Sequence, residues 1–82
     1  MERSQRPEVR NPILALPCAA TVAALPQDSR LALRAVLNDI ADDAARRAQE
    51  SWRRHKGPMA VYWKAIAVYS RHIARAIPKD RT

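Results

Sequence analysis

The only glycine in this 82-residue chain, Gly57, is followed directly by Pro58 and separates two long stretches with a helical pattern. Glycine suits the left-handed conformation that closes a helix, and proline suits the first turn of the next helix. A connection this short makes the two helices antiparallel neighbours. The sequence therefore predicts an all-α fold: an antiparallel helical hairpin of two long helices with a short N-terminal helical arm.

Prolines and changes in composition divide the chain further. Residues 1–11 have mixed charge and no apolar period, so they are predicted to form a polar tail. Residues 12–82 are predicted to form one small helical domain. It consists of an apolar arm at 12–25, a first long helix at 26–56 and a second long helix at 58–77, which Pro78 ends. Asn11 before Pro12 is a typical helix start, and Pro17 breaks the arm.

The first long helix has one broad apolar face and one charged face. At 100° per residue the apolar face collects Leu33, Val36, Leu37, Ile40, Ala41, Ala44, Ala45, Ala48, Ser51, Trp52 and His55. The charged face is predicted to carry three ion pairs at i,i+4 spacing, each worth only a few tenths of a kcal/mol. These pairs are Asp42 with Arg46, Asp43 with Arg47, and Glu50 with Arg54.

The second long helix has two apolar stripes, although a helix in a two-helix hairpin needs only one. The larger stripe is predicted to face the hairpin core, and it comprises Met59, Tyr62, Trp63, Ile66, Tyr69, Ile73 and Ile77. The second stripe comprises Val61, Ala65, Val68 and His72, continuing to Ala76. Small cores need added burial, so we expect the arm or a second subunit in a homodimer to cover this second stripe. A functional partner is the third alternative.

The net charge of +7 limits the class of partner. Eight lysine and arginine residues against the single acid Glu50 give the segment 46–75 the same net charge as the whole chain. Such a surface attracts an acidic protein, a nucleic acid or an anionic membrane. We predict a partner-binding surface on this segment, formed by Arg53, Arg54, Lys56, Lys64, Arg71 and Arg75.

Residues that carry out chemistry are scarce in the sequence. It has no glycine-rich phosphate loop and no His or Cys pair at metal-ligand spacing, so we expect no enzyme activity, cofactor or metal. His55 and His72 lie seventeen residues apart on different predicted helices, and the hairpin register puts His55 near Ala60 rather than near His72. Trp52 and Trp63 are predicted to be buried near each other as core anchors. Cys18 is predicted to behave as a small buried hydrophobe.

The N-terminal region superficially resembles a signal peptide, with arginines before the apolar run from Pro12 to Pro26. Glu2 and Glu8 reduce its positive charge, and Pro17 interrupts the run. The run is also too short to cross a bilayer as a helix. We therefore expect a cytoplasmic protein without a membrane span.

Two functions remain after these exclusions. The first is a non-enzymatic helical interaction module (a regulator, adaptor or inhibitor) that docks on a larger protein or nucleoprotein complex with an acidic or phosphate-bearing surface. The second is a helical protein that binds DNA or RNA through phosphate contacts from residues 46–75. The spare apolar stripe favours the first, because phosphate contacts need only clustered cations. Binding to an anionic membrane ranks third, because no single basic face lies opposite a bulky apolar face.

Overall fold

The structure, a computed structural model, describes residues 10–79. In this range a 3-10 helix (Pro12–Ala15) and a short helix α1 (Cys18–Ala23) precede two long helices, α2 (Gln27–Arg53) and α3 (Gly57–Ala76). No strand occurs between residues 10 and 79. The two long helices pack against each other as a hairpin, and the two short elements form the arm. The predicted fold class is confirmed.

The corner between α2 and α3 is closed by a histidine rather than by the glycine. Arg54 caps α2, and His55 has a positive φ of 58°. The amide of His55 donates to the carbonyl of Trp52 at 3.0 Å, and the amide of Lys56 donates to the carbonyl of Ser51 at 2.8 Å. These two bonds form a Schellman motif in which His55 occupies the position that usually holds glycine.

The prediction that Gly57 takes the left-handed conformation is therefore wrong. Gly57 is the first residue of α3, and its φ is not positive. A residue that precedes proline is disfavoured in the helical conformation, partly because its Cβ clashes with the proline ring. Glycine has no Cβ, so Gly57 can be helical directly before Pro58. The Schellman turn also ends α2 at Arg53, three residues earlier than expected.

The interface between α2 and α3 is lined by small residues. We call this interface the alanine seam, and its buried members are Ala41, Ala44 and Ala48 on α2 and Ala60, Ala67, Ser70 and Ala74 on α3. The positions are separated by three, four or seven residues, which is the spacing of an antiparallel coiled coil. Side chains this small let two helix backbones approach closely.

The alanine seam overturns the prediction for the larger stripe of the second helix. Of its seven residues only Ile77 is buried, while Met59, Tyr62 and Tyr69 are exposed. The stripe prediction ranked residues by hydrophobicity, whereas the close approach of α2 and α3 selects the smallest residues for the contact line. The larger side chains therefore lie beside the seam or on the outside of α3.

The arm attaches to the last turns of α3. The Asn11 side chain accepts a bond from the Ile13 amide at 3.1 Å, which caps the 3-10 helix as predicted, and donates to the carbonyl of His72 at 2.8 Å. Ile13 is buried at this contact. Cys18 is exposed, so the prediction of a buried thiol is wrong.

Two arginines of α2 hold the C-terminal end of α3, a feature that the sequence reasoning missed. Arg30 is only 1% exposed, and its guanidinium donates to the carbonyls of Leu25 at 3.0 Å and Pro78 at 2.6 Å. Arg34 donates to the carbonyls of Ala74 at 2.5 Å and Ile77 at 2.7 Å. The last carbonyls of a helix carry its negative dipole end, so the Arg34 guanidinium satisfies and partly neutralises the end of α3. Arg30 instead ties the segments that follow α1 and α3 to α2.

Candidate partner-binding surface

The hairpin is thin, and this leaves much of α3 open to a partner. The smallest extent of the molecule is 17 Å, whereas one helix with its side chains is about 10–12 Å across. Two helices packed side by side form a single layer, so the hairpin has two broad faces. Both broad faces, as well as the outer side of α3, are accessible to a partner.

Helix α3 carries cations but no acidic residue. Lys64, Arg71 and Arg75 are spaced by seven and four residues, which places them on one narrow strip of the helix surface. We call these three residues the basic strip. Within residues 10–79, neither Lys64 nor Arg75 forms an ion pair or a side-chain hydrogen bond. Their charges are therefore free to contact a partner.

Arg71 differs from its two neighbours because it bridges the two long helices. Its guanidinium lies 3.1 Å from the carboxylate of Asp42 on α2. The predicted pair between Asp42 and Arg46 is therefore wrong: Arg46 instead lies 3.4 Å from Asp43. The Asp42 side chain points across to α3 rather than along its own helix.

Two arginines and one lysine near the corner form a second group, which Glu50 partly neutralises. Arg53 and Arg54 both bond to Glu50, with a distance of 2.7 Å for Arg54, so the predicted Glu50 to Arg54 pair is confirmed. The Arg54 hydrogen bond is the main reason that the pKa of Glu50 lies below its ordinary value, with the charge of Arg53 adding to it. Lys56 makes no such pair among the described residues.

Asp43 and Arg47 form the third predicted pair, which is confirmed at 2.8 Å. The hydrogen bond from Arg47 holds the pKa of Asp43 below its ordinary value. The same guanidinium lies over the ring of Trp63, 4.9 Å from the ring centre, in a cation–π contact. This contact places Trp63 on one broad face of the hairpin, where the ring of Tyr62 meets it edge-on at 5.1 Å.

Trp52 lies on the other broad face, so the two tryptophans are not the paired core anchors that we predicted. Trp63 is half-buried, whereas Trp52 is 56% exposed. Trp52 forms one wall of a shallow groove between the long helices. The other lining residues are Ala45, Ala48 and Gln49 of α2, and Lys64, Ala67, Val68 and Arg71 of α3. We call this the Trp52 groove.

The second apolar stripe is mostly uncovered in the single chain. Val61 is 61% exposed and Val68 is 47% exposed, and Ala65 is exposed as well. The arm reaches only the C-terminal end of this stripe, where Asn11 bonds to the backbone of half-buried His72. The arm therefore accounts for one end of the stripe and leaves the rest for another occupant.

The six predicted site residues thus form two groups rather than one surface. Arg53, Arg54 and Lys56 lie at the corner, and the basic strip runs along α3 away from it. The sequence reasoning missed two contributors, Trp52 as an exposed wall and Gln49 on the rim. The signal was present in the sequence, because alanines at seam spacing on both helices imply that large side chains are displaced outward.

The described residues contain no group of three or more His, Cys, Asp and Glu side chains arranged to hold a metal ion. No helix within residues 10–79 is both long and apolar enough to cross a membrane. Comparisons of the chain with models of protein families, with curated protein sequences and with solved structures found no match.

Proposed function

We propose that this protein is a small, non-enzymatic helical interaction module that docks on a larger protein or nucleoprotein complex as a regulator, adaptor or inhibitor. The supporting observation is that α3 exposes Val61 and Val68 beside the basic strip, with no acid anywhere on the helix. Large apolar side chains next to unpaired cations are typical of a surface that binds an acidic partner.

Docking on protein is favoured over docking on nucleic acid by the way the charges are distributed. Arg46 and Arg47 share Asp43, while Arg53 and Arg54 share Glu50. Within residues 46–75, the cations without an ion pair are Lys56, Lys64 and Arg75, and they extend from the N-cap to the last turn of α3, a distance of about 30 Å. Phosphate contacts alone also do not explain why valine side chains are exposed between these cations.

Nucleic acid remains the alternative function, and a specific observation favours it. Residues 46–75 carry a net charge of +7, and phosphate binding needs only clustered cations. A nucleoprotein partner would be able to use both the basic strip and the apolar side chains. We also propose a cytoplasmic setting, because the exposed Cys18 thiol is best preserved in a reducing compartment.

Capture of partners from native lysate, with and without nuclease, tests the proposal. We expect the same proteins to be retained after nuclease treatment and to be lost when Lys64 and Arg75 are both changed to glutamate. The matched control is Arg46→Glu with Lys79→Glu, which makes the same change in total charge at exposed positions away from the basic strip. Loss of every captured protein after nuclease would instead support the nucleic-acid function.

A further inference from the structure

The Trp52 groove has an apolar floor and a polar rim. Ala48 and Ala67 are buried and Ala45 is half-buried, so their methyl groups form the floor, while exposed Trp52 and Val68 form the walls. Lys64, Gln49 and Arg71 line its edge. Methyl groups offer no hydrogen bonds, so the part of an occupant that enters the groove must be apolar.

The rim determines the charge of the occupant. Lys64 has no ion pair or side-chain hydrogen bond within residues 10–79, and Arg71 shares its charge only with exposed Asp42. Acidic groups that flank an apolar anchor would therefore meet cations on reaching the rim. The groove thus selects a partner that is apolar at the centre of its contact and negatively charged at the edge.

A second copy of this chain does not fit this description. The exposed apolar side chains of α3 are bordered by Lys64 and Arg75, and the helix has no acid to place against the rim of another copy. Two copies that met through α3 would bring like charges together, which is unfavourable for association. Charge complementarity therefore favours a different, acidic protein over a homodimer.

The dimensions of the groove favour a helix as occupant. The lining spans Ala45 to Trp52 on α2 and Lys64 to Arg71 on α3, seven residue steps on each helix. This corresponds to about 10 Å, or about two helical turns. A helix lying between two antiparallel helices buries its apolar stripe by the packing used in small helical bundles.

We propose that the Trp52 groove binds an acidic amphipathic helix of a partner protein. One large apolar side chain of that helix lies on the alanine floor against Trp52, and its carboxylates face Lys64 and Arg71. This inference rests on the proposed function and adds to it the binding groove and the chemistry of the partner.

The test uses a displayed library of helical peptides of about 15 residues, selected on the full-length protein. We expect the enriched peptides to carry a large apolar residue at i,i+3 or i,i+4 spacing, flanked by Asp or Glu. Binding of a synthetic enriched peptide is then measured by titration calorimetry. Trp52→Ala and Lys64→Glu should each weaken its binding by about tenfold or more.

Matched controls separate the groove from the rest of the surface. Tyr69→Ala removes another exposed aromatic ring, and Lys79→Glu makes the same charge change as Lys64→Glu outside the groove. Each control should leave peptide affinity within about twofold of the parent. Helix content and melting temperature, measured on every variant, show whether a loss of binding reflects loss of the fold.

Four results would overturn the inference. The first is selection of basic or uncharged peptides, and the second is equal binding by the groove variants and the parent. The third is a dimer that Val68→Asp dissociates, which would make a second copy the occupant. The fourth is displacement of the peptide by a fluorescein-labelled single-stranded oligonucleotide whose binding also depends on Trp52.

The lysate experiment distinguishes failure of this inference from failure of the proposed function. If partner capture depends on the basic strip but survives Trp52→Ala, the protein is an interaction module and the groove is not its binding site. If enriched peptides bind the groove but the variant with Lys64 and Arg75 changed to glutamate still captures the same proteins, the assignment of the basic strip as the docking surface fails.

Discussion

Replacing His55 with glycine should stabilise the protein. His55 holds the left-handed position of the Schellman motif at the corner, with a φ of 58°. Its side chain is exposed and makes no ion pair or side-chain hydrogen bond within residues 10–79. The substitution therefore relieves backbone strain without removing a favourable contact.

The expected gain follows from two opposing effects. The left-handed conformation costs a residue with a Cβ about 1–2 kcal/mol, and glycine does not carry this cost. Glycine also makes the unfolded chain more flexible, which lowers the free energy of unfolding by about 0.4–1 kcal/mol. The net stabilisation is about 0.5–1 kcal/mol. For a domain of this size it corresponds to a rise of about 3–6 °C in melting temperature.

Thermal melts followed by circular dichroism provide the measurement, with Gly57→Ala as the paired variant. A Cβ at Gly57 would have the Cζ3 atom of Trp52 as its nearest neighbour, at an ordinary contact distance of 3.8 Å. Alanine has the higher helix propensity, but its Cβ precedes a proline and clashes with the ring. These two effects oppose each other, so we expect the free energy of unfolding to change by no more than about 0.5 kcal/mol. If Gly57→Ala lowers the melting temperature by several degrees and His55→Gly does not raise it, the corner is closed by Gly57 and our assignment of the motif is wrong.

Three further predictions concern buried Arg30, the tryptophans and the charged surface. Arg30→Met should lower the free energy of unfolding in urea by about 2–3 kcal/mol, because it removes the donors to the part-buried carbonyls of Leu25 and Pro78. Arg30→Lys should restore little of this because lysine lacks the planar fork. Trp63→Ala should lower the free energy of unfolding by about 2–3 kcal/mol, and Trp52→Ala by only about 1 kcal/mol, because Trp52 is the more exposed. Equal losses in the two variants would contradict this order. The lowered pKa values of Asp43 and Glu50 contribute stability that is present above their unfolded pKa values and is lost as the pH falls through the folded ones. The melting temperature should therefore fall below about pH 4, and an Asp43→Asn, Glu50→Gln double variant should show a shallower fall.

The hairpin was predictable because its signals are local. Two long stretches with helical spacing of apolar residues, separated by a glycine and a proline, predict two helices and a corner. This prediction does not depend on how the two helices pack against each other. The cap at Asn11 and the ion pairs from Asp43 and Glu50 depend on neighbours within four residues, and the structure contains them all.

Long-range features of the fold were not predictable from the same patterns. The pairing of Arg71 with Asp42, and the bonds from Arg30 to Pro78, join residues far apart in the chain, and helical periodicity does not specify such contacts. The candidate site was only partly predictable for a related reason. Which tryptophan faces which side depends on the rotation of each helix about its axis, and the alanine seam sets that rotation.

The alanine seam also changes which kind of core substitution destabilises the protein most. In most cores, truncating large side chains is the damaging change, whereas the buried positions of the alanine seam already carry little more than a methyl group. Enlargement is therefore the damaging direction: Ala67→Leu would force the two backbones apart and cost about 1–3 kcal/mol or more. The most exposed large apolar side chains, such as Val61 and Tyr69, lie outside this contact line, so their identity can change with little effect on the hairpin. The surface residues are thus free to be selected for partner recognition, while the alanines preserve the scaffold.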